Sequence, residues 1–260
     1  MIAVSPFYAE TGGQRDPASW VNPLIGTTNG GNVFPGAVLP FGMVQFSPET
    51  SPFNLKSSIA APGGYEFRSD KIRGFSLTNV EGWGCGGGSG DIPIMPLAEA
   101  IGASPSSDFR YAYASHFTHN KEQAHPGHYH VALDSGIGVD LTASLHTGSA
   151  TFSFPEGKPA NILVRTSDSE VGSTDAHTTV DAAHRTVSGS VTSGNFCGYI
   201  DKADRRSYYT VYFVAEFDQP FLQTGAWHDM QITAGAIKAE GGSGFGQKGF
   251  PEKNMALVSG

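Results

Sequence analysis

From residue 137 to 145 the sequence reads IGVDLTASL, and every second side chain is apolar: Ile137, Val139, Leu141, Ala143 and Leu145, with Asp140, Thr142 and Ser144 between them. Alternate side chains of an extended chain point to opposite faces, whereas a helix brings an apolar residue back every three to four positions. The stretch therefore reads as a strand with one buried face. The same period continues at Ala150, Phe152 and Phe154, and β-branched or aromatic runs predict further strands at 43–47, 72–78, 128–133, 161–166, 187–192, 207–217 and 231–239. The run 207–217 is aromatic or β-branched on both faces, so burial on both sides is expected there. Glycine or proline interrupts nearly every window, and no segment longer than ten residues carries a helical apolar stripe. Many short strands separated by turn residues predict an all-β fold, a large antiparallel β-sandwich without internal repeats.

The 260 residues are enough for a real core, and the composition suits a turn-rich β protein: 34 glycines, and 15% charged residues against about 25% in average proteins. The net charge of -8 excludes nucleic acid and anionic membrane surfaces as partners, because no basic cluster offsets it. No run approaches the ~18 apolar residues of a membrane span. Residues 1–20 lack the basic start and long apolar core of an intact secretory signal, and are expected to form a flexible segment ahead of a sandwich covering 21–260. A strand-like run at 254–259 leads to the further expectation that this domain is truncated at its C-terminal end. Two cysteines, Cys85 and Cys197, provide neither a disulfide framework nor zinc-site spacing, and no bridge between them is expected.

Residues 79–96, NVEGWGCGGGSGDIPIMP, raise the functional question. Each glycine adds backbone entropy that folding must remove, so such a run implies unusual angles or a close approach. Gly82, Gly84 and Gly87 satisfy the spacing of a dinucleotide-binding turn, but Pro93 and Pro96 follow where that turn would open a helix, which excludes it. Ser89 and Ser243 lack the final glycine and the helix of a hydrolase nucleophile elbow. Glu81 and Asp91 flank the run and could be a glycosidase pair; the preferred reading is that Asp91 caps or pins the loop through backbone N–H groups and Glu81 ends a strand. His125, His128 and His130 read as the outer face of a strand after a Pro-Gly turn, rather than as metal ligands, since no carboxylate or cysteine adjoins them in sequence. Trp83 is the best candidate for function: a flat ring among glycines suits the C–H face of a sugar.

Four blocks carry a resemblance. VNPLIGTTNGGNVFPGAVLPFGMVQFSPET (21–50), GGYEF (63–67), IRGFSLTNVEGWGCGGGSGDIPIMP (72–96) and HFTHNKEQAHPGHYHVAL (116–133) together resemble the N-terminal domain of the glycoside hydrolase family 92 α-mannosidases. The resemblance implies a β-sandwich of the supersandwich, galactose mutarotase-like type, packed on a C-terminal (α/α)6 domain. It implies exo-acting, calcium-dependent, inverting hydrolysis of terminal α-mannosides, with α-1,2 linkages expected in mannose-containing glycans. The acid, the base and most ligands of the Ca2+ would lie on the helical domain, so no catalytic residue and no metal ligand is assigned here. N-terminal loops would form one wall of the mannose pocket, with Trp83 and Cys85, and then Asn32 and Phe34, facing the sugar. A secreted or periplasmic location is implied. The run Phe75 to Val80 departs from the family's usual histidine-bearing sequence, so any role of those histidines is absent. A non-catalytic, lectin-like mannose-binding sandwich is the competing expectation.

Overall fold

The alternation at 137–145 becomes the strand Gly138–Ala143, paired with His128–Leu133 on one side and Gly148–Ser153 on the other. A computed structural model of the protein describes residues 16–50, 63–80, 90–108, 112–169, 172–194, 208–241, 244–245 and 255–259. Every strand pair among them is antiparallel, and the helical elements are two 3-10 turns, Pro17–Trp20 and Pro105–Asp108. Twelve strands form one large sheet and four form a smaller one, in the order Tyr208–Glu216, Thr186–Gly194, Asp175–Asp181, Lys238–Glu240. The fold is an antiparallel β-sandwich.

Two apolar clusters share a wall. Ile94–Leu97 pairs with Asn161–Val164, and all eight positions are buried. Period-two geometry sends Met95, Leu97 and Leu163 into a cluster with Phe75, Tyr129 and Trp227. It sends Ile94, Ile162 and Val164 the other way, against Val180, Val191 and Phe213 of the small sheet. Each fully buried aliphatic side chain stabilises by roughly 1.5–3 kcal/mol.

These two strands, not 207–217, are the ones buried on both faces. The expected double burial of 207–217 is incorrect: in Tyr208–Glu216 only Phe213 is buried, while Tyr212 and Val214 are 80% and 72% exposed. Period two puts Tyr208, Thr210, Tyr212 and Val214 on the other face of the small sheet, which no element covers among the described residues. The expected strand at 231–239 is two, Gln231–Ala234 and Lys238–Glu240, because Gly235 turns the chain at φ +74°.

Pro96 sits within a central strand without costing a ladder bond. Arg165 N–H donates to the Pro93 carbonyl at 2.9 Å, so residues 93, 95 and 97 turn their backbone groups toward Asn161–Val164, while 94 and 96 turn away. On that far side, pairing with Lys71–Ser76 stops at Ile94. The missing N–H therefore falls where the ladder has already ended.

Candidate functional site

One carboxylate fixes the root of the glycine-rich run. Gly90, where the described chain resumes, donates its N–H to the Thr78 carbonyl at 2.7 Å. The Thr78 hydroxyl accepts from the Asp91 N–H at 3.0 Å and donates to Asp91 Oδ2 at 2.7 Å. The Tyr209 hydroxyl donates to the same oxygen at 2.8 Å. Tyr209 belongs to Tyr208–Glu216, which pairs with Thr186–Gly194 as far as Tyr208 opposite Gly194, the two ends of the connection 195–207. Asp91 thus ties together the roots of two long connections, 81–89 and 195–207. Burial raises its carboxyl to about 6; hydrogen bonds from Thr78, Tyr209 and Ser193 lower it, and the charge of Asp168 raises it further.

Beneath Asp91 lies a buried ion cluster. Arg73 donates to Asp168 through Nη1 at 2.5 Å and Nη2 at 3.2 Å, and Arg165 Nη1 stands 3.6 Å from the same carboxylate. Arg165 Nη2 also donates to the Ala112 carbonyl at 2.7 Å. Arg73 and Arg165 each interrupt an apolar strand sequence, and a charge in such a place needs a counter-charge. That was the available signal for Asp168, which lies 95 residues from Arg73.

Of the sequence-predicted sugar-facing residues, Asn32 and Phe34 are described. Phe34 is buried, so its ring backs the loop and offers little surface. Asn32 is half-buried at φ 53°, its carbonyl against Gly63. The loop is held by Glu66, which accepts from the Thr28 hydroxyl at 2.7 Å and from Arg68 Nε at 2.8 Å. Burial works to raise the Glu66 carboxyl, but the hydrogen bonds from Arg68 and Thr28 prevail and hold it below its ordinary value. At Gly36 an added Cβ would lie 2.3 Å from the Phe46 carbonyl oxygen, so only glycine lets the loop meet the strand there. Trp83, Cys85, Glu81, Ser89, Cys197 and Ser243 lie outside the described residues.

The histidines have partners that sequence order hid. Asp140, opposite His130 on the next strand, stands 2.9 Å from His130 Nδ1 and 3.2 Å from His128 Nε2. Buried Glu122 accepts from the Tyr65 and Tyr129 hydroxyls at 2.8 and 2.7 Å and contacts His119 Nδ1 at 2.7 Å. Burial and the Glu122 charge push both phenols well above their ordinary range. Among the described residues no group of three His, Cys, Asp or Glu is arranged to hold a metal ion.

A sequence profile of the glycosyl hydrolase family 92 N-terminal domain matches residues 20–258. The chain belongs to that family. Its fold is that of the family 92 glycosyl hydrolase ccman5, at TM-score 0.76 and 26% identity, over 94% of this chain and 30% of that one. An α-mannosidase of family 92 from Bacteroides thetaiotaomicron superposes at TM-score 0.71 with 25% identity, over 93% of this chain and 32% of that one. An inverting family 92 mannosidase from the same organism shares the fold at TM-score 0.70 and 22% identity, over 93% and 29%. An uncharacterized secreted glycosidase of Arthroderma benhamiae is 28% identical over 162 residues, which are 60% of this chain and 20% of that protein. The chain thus spans about a third or less of the length of these relatives.

Proposed function

We propose that this family 92 domain forms one wall of the substrate pocket of an exo-acting α-mannosidase that removes terminal α-linked mannose, α-1,2 linkages foremost, with inversion and calcium. The observation that carries the reading is the Asp91 knot. A buried carboxylate, two hydroxyls and the ion cluster below it make a rigid base at the place where the glycine-rich run and the connection 195–207 both enter and leave the sandwich. A wall needs such a base, because catalysis depends on holding the reacting groups to within a fraction of an ångström. Trp83 and Cys85 stand on the first of these connections, and Asn32, backed by Phe34, stands on a loop rich in glycine for the same close approach.

Mannosidase relatives support the substrate class, one of them having been solved with mannoimidazole bound. Neutral glycans also suit a chain of net charge -8 with no basic cluster. Among the described residues no three His, Cys, Asp or Glu side chains come together as metal ligands. The acid, the base and the ion's ligands are assigned to a helical (α/α)6 partner domain of the same polypeptide, and the enzyme to a secreted or periplasmic location, in keeping with the secreted relative.

The test is a linkage panel. The complete enzyme, given α-1,2-, α-1,3- and α-1,6-linked mannobioses, should release mannose fastest from the α-1,2 disaccharide and lose that activity to a calcium chelator. Mannose binding without release from any of the three would favour the lectin-like alternative.

A further inference from the structure

The small sheet ends in a strand with no defence against pairing. Tyr208–Glu216 runs nine residues in unbroken register with Thr186–Gly194, and among the described residues no strand occupies its other edge. Phe217 N–H donates to the Arg185 carbonyl at 2.9 Å, and backbone groups alternate sides along an antiparallel strand. The odd-numbered residues therefore face the partner strand, while Thr210, Tyr212, Val214 and Glu216 turn their N–H and C=O groups outward. Natural edges of this length carry a lysine, a proline, a bulge or an inward charge. This one has none before Glu216.

A second observation lies beside the first. An apolar cavity of about 870 Å³ adjoins that strand and Gly148–Ser153, which is itself the last strand at its end of the large sheet. Phe46, Phe152 and Phe154 line one side; Val211, Phe213 and Phe217 line the other. A row of outward backbone groups above an apolar trench fits an extended polypeptide, which offers matching hydrogen bonds and sends every second side chain downward. No Lys or Arg lines the trench, and Glu216 and Asp218 stand together along its wall.

We propose that this edge and trench receive a β-strand from the remainder of the family 92 polypeptide, apolar at alternate residues and bearing a Lys or Arg at the Glu216–Asp218 end. The inference rests on the reading above, in which the domain works within a longer enzyme; the solved relatives are about three times as long as this chain. The added strand becomes the fifth of the small sheet and buries the cavity wall.

Hydrogen exchange followed by mass spectrometry, on residues 1–260 alone and on the complete enzyme, tests this. In the isolated chain the amides of Thr210, Tyr212, Val214 and Glu216 should exchange quickly, and those of Val211, Phe213 and Ala215 slowly. In the complete enzyme the outward set should slow by at least roughly 100-fold. Val214→Pro removes only an outward N–H, so the isolated chain should keep its β-sheet circular dichroism, and the complete enzyme should regain fast exchange at Thr210, Tyr212 and Glu216. Outward amides that stay fast in the complete enzyme would overturn the proposal, as would protection that grows with the concentration of the isolated chain and marks a second copy as the occupant. An inactive complete enzyme with a protected edge would leave this proposal standing and remove the mannosidase reading. An active enzyme with a fast-exchanging edge would do the reverse.

Discussion

The hydroxyl of Tyr209 donates to the carboxylate of Asp91 at 2.8 Å, across 118 residues of sequence. With Thr78 it makes a single buried oxygen the meeting point of the glycine-rich run and the strand pair that frames 195–207. Asp91 itself is fully buried. Its role is mechanical first: it fixes where two connections begin.

Asp91 also makes stability depend on pH. Burial, the largest effect, raises its folded-state carboxyl to about 6, against about 3.9 in an unfolded chain. Between those values the folded state holds the proton more tightly, so stability should fall as pH rises from about 4 to about 6 and level off above, by roughly 3 kcal/mol in all. Asp91→Asn should remove that slope. Urea denaturation of both forms across this range is the check, and parallel curves for the two would refute the assignment.

Asp168 should matter for folding at every pH near neutrality. Replacing it by alanine leaves Arg73 and Arg165 buried without their shared counter-charge, which should cost about 3–5 kcal/mol. Denaturant midpoints of Asp168→Ala and of the native chain measure this. A change below about 1 kcal/mol would mean that water reaches the guanidinium groups, and that the base under the site is looser than described.

Trp83 should act on the substrate and not on the fold. In the complete enzyme, Trp83→Ala should lower kcat/KM by about 10-fold or more while leaving the thermal midpoint nearly unchanged. A large fall in midpoint with unaltered kinetics would place the ring in the core.

Much of the sheet was legible. The apolar alternation predicts His128–Leu133 at its observed bounds, and Gly138–Ala143 within its predicted run, because each buries one face only. Ser115–His125 was not legible: the register shift between Phe117 and Glu122 breaks its alternation, and Glu122 is an acid turned inward to meet two tyrosines. Ile94–Leu97 was hidden by Pro93, which precedes it, and by Pro96, which is harmless only because the ladder with Lys71–Ser76 ends at Ile94. At the site, Asp91 could be read as pinning its loop, with backbone N–H groups as the expected donors. Its hydroxyl partners could not, since contacts between residues 13 and 118 positions apart leave no local pattern. Residues 207–217 misled for a related reason: the sequence shows which faces are apolar, and only the fold shows which of them is covered.

This chain is proposed as one wall of a catalytic pocket, with the acid, the base and the metal held elsewhere in the polypeptide. Release of the chromophore from an aryl α-mannoside, measured with residues 1–260 and with the complete enzyme, each with and without calcium, tests that claim most directly. Residues 1–260 should show no turnover under either condition, and the complete enzyme calcium-dependent turnover. Hydrolysis by residues 1–260 that Asp91→Asn abolishes would contradict the claim and move the catalytic groups into the sandwich.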